Sequence, residues 1–285
     1  MTLTLPRHAS QRVLSPDGVA VAVQDWAAPA DAGRLPDVLL LHGFSQSHQC
    51  WIRQVGDDRL RSRLRLVTVD LRGHGDSDKP DGDAFYQDPQ RWAADVASVI
   101  DALQLHRPVL VAWSYAGRIA LDYLQHHGDS GVAGLVMVNA TSSTLPQMLG
   151  PTAALLGTMG DPDPAVSEPA TEALLRQCVA GPLPDHALQF MLAYNRRVPA
   201  RVRAQMRRPG LDYGATLNAL RIPVLVVHGD QDTINLPAMA HYTASQAPQS
   251  RLLMYEGVGH TAFWEQPERF NHDLLAFVEG CHAGR

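Results

Sequence analysis

Nowhere in this chain do about 18 apolar residues follow one another, so no transmembrane helix is expected. The start, Met1 to His8, lacks the apolar core of a secretory signal, and a cytoplasmic location is the expectation. Cysteine is scarce. Cys50, Cys178 and Cys281 are odd in number and have no metal-ligand spacing, so they read as free thiols in a reducing compartment rather than as a disulfide framework or a metal site. An excess of positive charge is missing too. The 24 Lys and Arg against 29 Asp and Glu leave a net charge of −5, which argues against nucleic acid or an anionic membrane as the main partner. Internal repeats and low-complexity segments are absent.

What is present is the material of one large domain with an insertion. The 285 residues, 45% of them hydrophobic, can bury a substantial core. Arg12–Ser15 and Val19–Val23 flank Pro16-Asp17-Gly18, a hairpin signal. Apolar runs then recur at Asp37–His42, Leu64–Val69, Val109–Ala112, Gly134–Val138, Pro223–Val227 and Arg251–Tyr255. Unbroken runs, unlike alternating ones, suit strands buried on both faces of a mostly parallel sheet. Helical patterns fall between them. Asp88 can cap and Pro89 can open a helix presenting Trp92, Val96, Ile100 and Leu103 on one face, and another starts near Pro267 to bury Phe270, Leu274, Phe277 and Val278. The alternation predicts an α/β fold, with helices flanking the sheet. About 80 residues between Val138 and Pro223 carry helical patches but no convincing strand. An unstructured loop of that length is implausible in a compact domain, so residues 144–219 are expected to form a helical insertion in a core made of 1–143 and 220–285.

The chemistry starts at Ala112-Trp113-Ser114-Tyr115-Ala116-Gly117, which follows one apolar run and precedes a helical pattern. Strand, sharp turn and helix with a serine at the apex form a nucleophile elbow, and the small residues at 112 and 116 are what so tight a turn demands. A serine hydroxyl needs an imidazole to take its proton, and the imidazole needs an acid to orient it. Among 13 histidines, His260 stands in the glycine-bearing loop Tyr255-Glu-Gly-Val-Gly-His260, just after the last predicted strand. Such a loop can bend the ring over the carboxyl edge of the sheet, where sites of open α/β sheets form. For the acid, Val224–Asp232 supplies two candidates, Asp230 and Asp232, whereas Asn139-Ala140-Thr141 after the preceding strand offers no carboxylate. Glu256 lies too close to His260 along the chain and reads as a loop cap. An oxyanion hole needs two backbone N–H groups. Tyr115 supplies one, and Phe44, beside the permissive Gly43, supplies the other.

Taken together, the chain resembles the α/β-hydrolase fold family along nearly its whole length. The matching pieces are His42-Gly43-Phe44, Asp70-Leu-Arg-Gly-His-Gly-Asp-Ser77, Ala112-Trp-Ser-Tyr-Ala116, His228-Gly-Asp-Gln-Asp232 and Gly259-His260. The resemblance is nearest to serine esterases and to cofactor-free haloperoxidase-like enzymes, or perhydrolases. It implies a helical cap at the 144–219 insertion, Asp232 as the acid, and a catalytic set of Ser114, Asp232 and His260. It also implies that Asp70, Arg72, His74 and Ser77 form a structural loop. Serine at 114 sets the chain apart from relatives of this fold that use an aspartate nucleophile.

The pocket is less legible. Trp113, His48, Trp51, Phe190 and Tyr194 are candidates to line it, each with a plainer alternative. Trp113 can pack beneath the elbow, and His48 and Trp51 can begin a packed helix. Phe190 and Tyr194, with Met148, Met159 and Met191, can form the insertion's own core. Six arginines, at 196, 197, 201, 203, 207 and 208, read as a solvated face around a buried stripe of Val198, Val202 and Met206. The expected activity is hydrolysis of small-molecule carboxylic esters through an acyl-enzyme, with no cofactor or metal. Perhydrolysis, lactone opening, C–C bond hydrolysis and acyl transfer use the same machinery. A ligand receptor or a cofactor-free oxygenase on this fold is the alternative from another class.

Overall fold

A computed structural model describes residues 6–26 and 35–283. Residues 1–5, on which much of the reading of the chain's start rests, lie outside the described residues. Eight strands form one sheet: β1 (Ala9–Leu14), β2 (Ala20–Asp25), β3 (Asp37–Leu41), β4 (Arg65–Asp70), β5 (Val109–Trp113), β6 (Gly134–Val138), β7 (Val224–Gly229) and β8 (Ser250–Tyr255). Their order is β1-β2-β4-β3-β5-β6-β7-β8. β2 pairs antiparallel with both β1 and β4, and every other neighbouring pair is parallel. Every predicted strand is present. The fold is α/β, with a mostly parallel sheet and flanking helices, as expected.

The unbroken apolar runs have a simple cause. Successive strand residues point to opposite faces. Leu39, Leu41, Leu110, Ala112, Leu135 and Met137 lie in one core cluster, while Val38, Leu40, Val109, Val111, Val136 and Val138 lie in the cluster on the other face. Both faces are covered, so β3, β5 and β6 are buried along their whole length, and apart from Asp37 at the head of β3 they carry no charged side chain. β1 is the outer strand. Five of its six positions are exposed, and its Arg12 pairs with Asp78.

Helix starts follow local chemistry. The Asp88 carboxylate accepts from Gln90 N (2.9 Å) at the head of helix Pro89–Ala102, which buries Trp92, Val96 and Ile100. Helix Pro267–His282 buries Phe270, Leu274 and Val278, while Phe277 is only half-buried, a small departure from expectation. Between β6 and β7 the chain is helical, chiefly Pro164–Gln177, Asp185–Asn195, Ala200–Gln205 and Gly214–Ala219. The last of these packs on helices Ala116–His127 and Pro237–Gln246, which flank the sheet.

The topology places the site. From β3 the chain moves to β4 on one side and then to β5 on the other, so β3 and β5 are neighbours at the point where strand order reverses. Ligand crevices of open α/β sheets form outside the carboxyl ends of strands at such a point.

Candidate active site

The turn from β5 into helix Ala116–His127 holds Ser114 at φ 55°, a left-handed conformation that costs a non-glycine residue energy. Its surroundings over-determine it. Ser114 N donates to Val138 O (3.0 Å), and its carbonyl accepts from Gly117 N (2.9 Å) and Thr141 N (2.9 Å). Ala112 and Ala116 are wholly buried. Gly43, at the end of β3, sits so close that a Cβ there would lie 3.1 Å from the Cβ of Ser114. The small residues around the serine therefore answer a steric need.

Three chain segments about 30 to 150 residues apart meet at the serine hydroxyl. His260 Nε2 stands 2.8 Å from Ser114 Oγ, and His260 Nδ1 stands 2.7 Å from Asp232 Oδ2. Asp232 is 2% exposed. Its Oδ1 accepts from Ile234 N (2.8 Å) and Asn235 N (3.1 Å), and its Oδ2 also accepts from Asn139 Nδ2 (2.9 Å). Burial opposes ionisation here, but His260, His228 and the Asn139 amide outweigh it and hold the carboxyl below its usual range. Asp230 faces elsewhere, accepting from Gly257 N (2.8 Å).

The His260 loop is held from both sides. His260 N donates to Cys178 O (2.8 Å), and Trp113 Nε1 donates to His260 O (2.9 Å). The Glu265 carboxylate accepts from Gly259 N (3.0 Å) and Ala180 N (2.8 Å) and contacts Thr261 Oγ1 (3.1 Å). One carboxylate thus ties both neighbours of His260 to the segment that follows helix Pro164–Gln177. Burial pushes the Glu265 carboxyl above its ordinary value.

Phe44 and Tyr115 lie on the turns after β3 and β5, and among the described residues neither backbone N–H donates to another group. Two neutral histidines brace the Phe44 turn. His42 Nδ1 donates to Gly43 O (2.8 Å) and its Nε2 accepts from Leu71 N (3.0 Å). His74 Nδ1 donates to Arg72 O (2.9 Å) and its Nε2 accepts from Ser45 N (3.2 Å). Each ring therefore carries one proton by geometry. Burial lowers the pKa of His42 to about 4 and that of His74 to about 3. Asp70 accepts from His48 N (2.8 Å) and Asp76 N (3.0 Å), and Ser77 Oγ donates to Asp70 O. Arg72 is wholly buried against Asp95 and Asp17. The Asp70–Ser77 cluster is a bonded framework beneath the site.

One small cavity borders the serine and a second shares walls with it. One is bounded by Ser114, His260, Phe44, Leu156, Leu174 and Ile234; the other lies among Met191, Tyr194, Phe263 and Trp264. Gln46, Trp113 and Cys178 form walls of both. Each leaves only about 10 Å³ for the centre of a water molecule, room for roughly one. Of the residues expected to line a pocket, Trp113 and Tyr194 do so. His48 instead binds Asp70 (2.9 Å), Trp51 packs its ring on Phe263 (4.4 Å), and Phe190 stacks on Trp264 (6.4 Å). None of these three is in the wall of either cavity.

Several residues escaped the sequence reading. Asn139 stands where an acid was sought and found missing, and its amide bonds the acid supplied by β7. Its place at the carboxyl end of a core strand was the available signal. Leu156, Leu174 and Ile234 gave none, because only tertiary packing brings them to the serine. The arginine run also differs from expectation. Arg203 and Arg208 are buried, Arg208 in a two-point pair with Asp122 (2.6 and 3.1 Å), while Arg203 donates to Ser45 Oγ (2.9 Å) and Asn195 O (2.7 Å). Hydrogen bonding to oxygens on other segments lets these two guanidinium groups leave water. Among the described residues no group of three or more His, Cys, Asp or Glu is placed to hold a metal ion, and no helix is long and apolar enough to cross a membrane.

A family profile described as alpha/beta hydrolase fold matches residues 36–267. A Burkholderia cenocepacia protein assigned as an aryl esterase has a crystal structure that superposes with a TM-score of 0.90 at 32% identity, covering 96% of this chain and all of that one. An esterase from a Rhodococcus species superposes with a TM-score of 0.85 at 31% identity, covering 95% of this chain and 98% of the other. In sequence, a bifunctional esterase/perhydrolase of Acinetobacter calcoaceticus is 25% identical over 93% of this chain and 98% of its own length.

Proposed function

The chain belongs to the alpha/beta hydrolase fold family, and on that premise we propose that it is a serine hydrolase of small carboxylic esters acting through an acyl-enzyme. One observation carries the reading: the line of hydrogen bonds from Ser114 Oγ through the His260 ring to the buried Asp232 carboxylate. In this reading Ser114 Oγ attacks the ester carbonyl while its proton passes to His260 Nε2. Asp232 keeps the proton on Nδ1 and stabilises the imidazolium. The Phe44 and Tyr115 amides receive the negative charge that develops on the carbonyl oxygen. His260 then protonates the leaving alcohol, and a water activated by the same ring releases the acid. Residues 144–219 act as a cap whose helices close over the serine. The aryl-esterase assignment of the Burkholderia neighbour supports an ester substrate.

Steady release of p-nitrophenol from p-nitrophenyl acetate, together with labelling of Ser114 by a fluorophosphonate, tests the proposal. At most one equivalent of product, or a label elsewhere, refutes it. A second reading has one support, the esterase/perhydrolase pairing in the name of the Acinetobacter relative. Hydrogen peroxide in place of water on the acyl-enzyme would give a peracid, and assays with and without peroxide separate the two outcomes.

A further inference from the structure

Two polar side chains at the paired cavities make no bond to a described residue. Gln46 is 3% exposed and forms a wall of both cavities, and Tyr194 is 1% exposed and borders the second. Neither the Gln46 carboxamide nor the Tyr194 hydroxyl makes a hydrogen bond to any described residue, and both residues border the open space of the second cavity. Polar neighbours differ: Thr261 Oγ1 reaches Cys178 O (3.1 Å), and Trp113 Nε1 is spent on His260 O (2.9 Å). Buried polar groups in folded proteins are nearly always bonded, and those that lack a protein partner are bonded by water or by a ligand. Each cavity has room for roughly one water, which can serve that purpose in the free protein.

The walls say what replaces that water. The second cavity is built from the rings of Trp113, Tyr194, Phe263 and Trp264 and the sulfurs of Met191 and two cysteines, a surface that favours a flat, polarisable group. No Asp, Glu, Lys or Arg stands in either wall, so an ionised substituent would have no counter-charge there. Gln46 can donate and accept, and the tyrosine hydroxyl can do either. We propose that Gln46 and Tyr194 are specificity-determining residues, which together recognise a neutral hydroxyl or carbonyl substituent on an aromatic part of the ester. This rests on the serine-hydrolase reading above. The aromatic part enters between Trp113 and the helices of the insertion, which part to admit it, and displaces the cavity waters. A ring without the substituent leaves both polar groups dry and unbonded, which is how a site rejects an analogue lacking a hydroxyl.

The test compares kcat/KM for methyl benzoate with methyl 3- and 4-hydroxybenzoate in the unaltered protein, in Tyr194→Phe and in Gln46→Met. Each substitution keeps the side chain's size. A hydroxylated ester is expected to be favoured by about tenfold, and that ratio to shrink several-fold in each variant. Equal kcat/KM for plain and hydroxylated esters, or a ratio unmoved by both substitutions, overturns the proposal and leaves water as the sole partner of these groups. Calorimetric binding of benzamide against 3- and 4-hydroxybenzamide decides the matter if no ester is turned over. Tighter binding of a hydroxylated amide, lost in Tyr194→Phe, supports the site, and equal binding overturns it. Failure of the hydrolase reading shows separately, as absent fluorophosphonate labelling of Ser114.

Discussion

Asp232→Asn separates the two aspartates that follow β7. The substitution keeps the size of the side chain and its Oδ1 bonds from Ile234 N and Asn235 N, but replaces Oδ2 with an NH2 group. That group meets two donors, His260 Nδ1 and Asn139 Nδ2. Turning the Asn139 amide to present its unbonded Oδ1 is one way out, at the loss of its Nδ2 bond to Gly259 O (3.1 Å). The imidazole has the other: it carries its proton on Nε2 and accepts at Nδ1, and then Nε2 can no longer take the proton of Ser114. The charge term points the same way. An imidazolium and a carboxylate with charge centres about 4 Å apart attract by about 4 kcal/mol at an effective dielectric of about 20. Losing that in the transition state slows turnover by about 10³-fold. Asp230→Asn, whose carboxylate serves only Gly257 N, should lose less than about tenfold. The assay is kcat on p-nitrophenyl acetate, with urea midpoints to show that both variants are folded. A large loss in Asp230→Asn with near-normal turnover in Asp232→Asn would refute the reasoning and make Asp230 the acid.

Ser114→Ala should lower kcat by on the order of 10³-fold or more and abolish fluorophosphonate labelling; mass spectrometry of the labelled peptide checks it. Stability should fall as pH drops from about 6.5 towards 4, because unfolded His42 and His74 bind protons near pH 6.5 whereas the folded rings resist until about 4 and about 3. The pair contributes a slope of about 2.7 kcal/mol per pH unit in that window, and denaturation in urea at pH 7 and pH 5 measures it; equal stability at the two would contradict the buried neutral rings. Glu265→Gln puts a donor against Gly259 N or Ala180 N, so kcat should fall about tenfold with KM little changed. Unchanged kcat in a folded variant would show that the His260 loop holds itself.

Strands and elbow were legible because their causes are local. A strand buried on both faces must be apolar at every position, as in Val109–Trp113, and a serine on a left-handed turn needs small neighbours, as at Ala112, Ala116 and Gly43. The loops bearing Asp232 and His260 were legible as well, since each follows directly on a strand whose carboxyl end it extends. The choice between Asp230 and Asp232 was not open to spacing alone. Both lie within a few residues of the same strand end, and only the family resemblance favoured the later one before the geometry brought it to His260 Nδ1.

Whether a polar or aromatic side chain faced the cavity, the framework or the core was decided by tertiary structure. His48 and Trp51 stand just after the Phe44 turn, yet Asp70, 22 residues away, draws one ring off, and Phe263 covers the other. Arg203 lies in a run that composition marks as solvent-facing, and oxygens of Ser45, Met159, Thr171 and Asn195 bring it inside. Gln46 carries no sequence signal and Tyr194 only that of an aromatic in the insertion, because what distinguishes them is the lack of a partner once everything around them has packed. Apolar periodicity and turn chemistry act over a few residues and can be read along the chain. Burial and hydrogen-bond satisfaction at the site depend on residues more than 200 positions apart, such as Trp51 and Phe263, and exist only when the chain is folded.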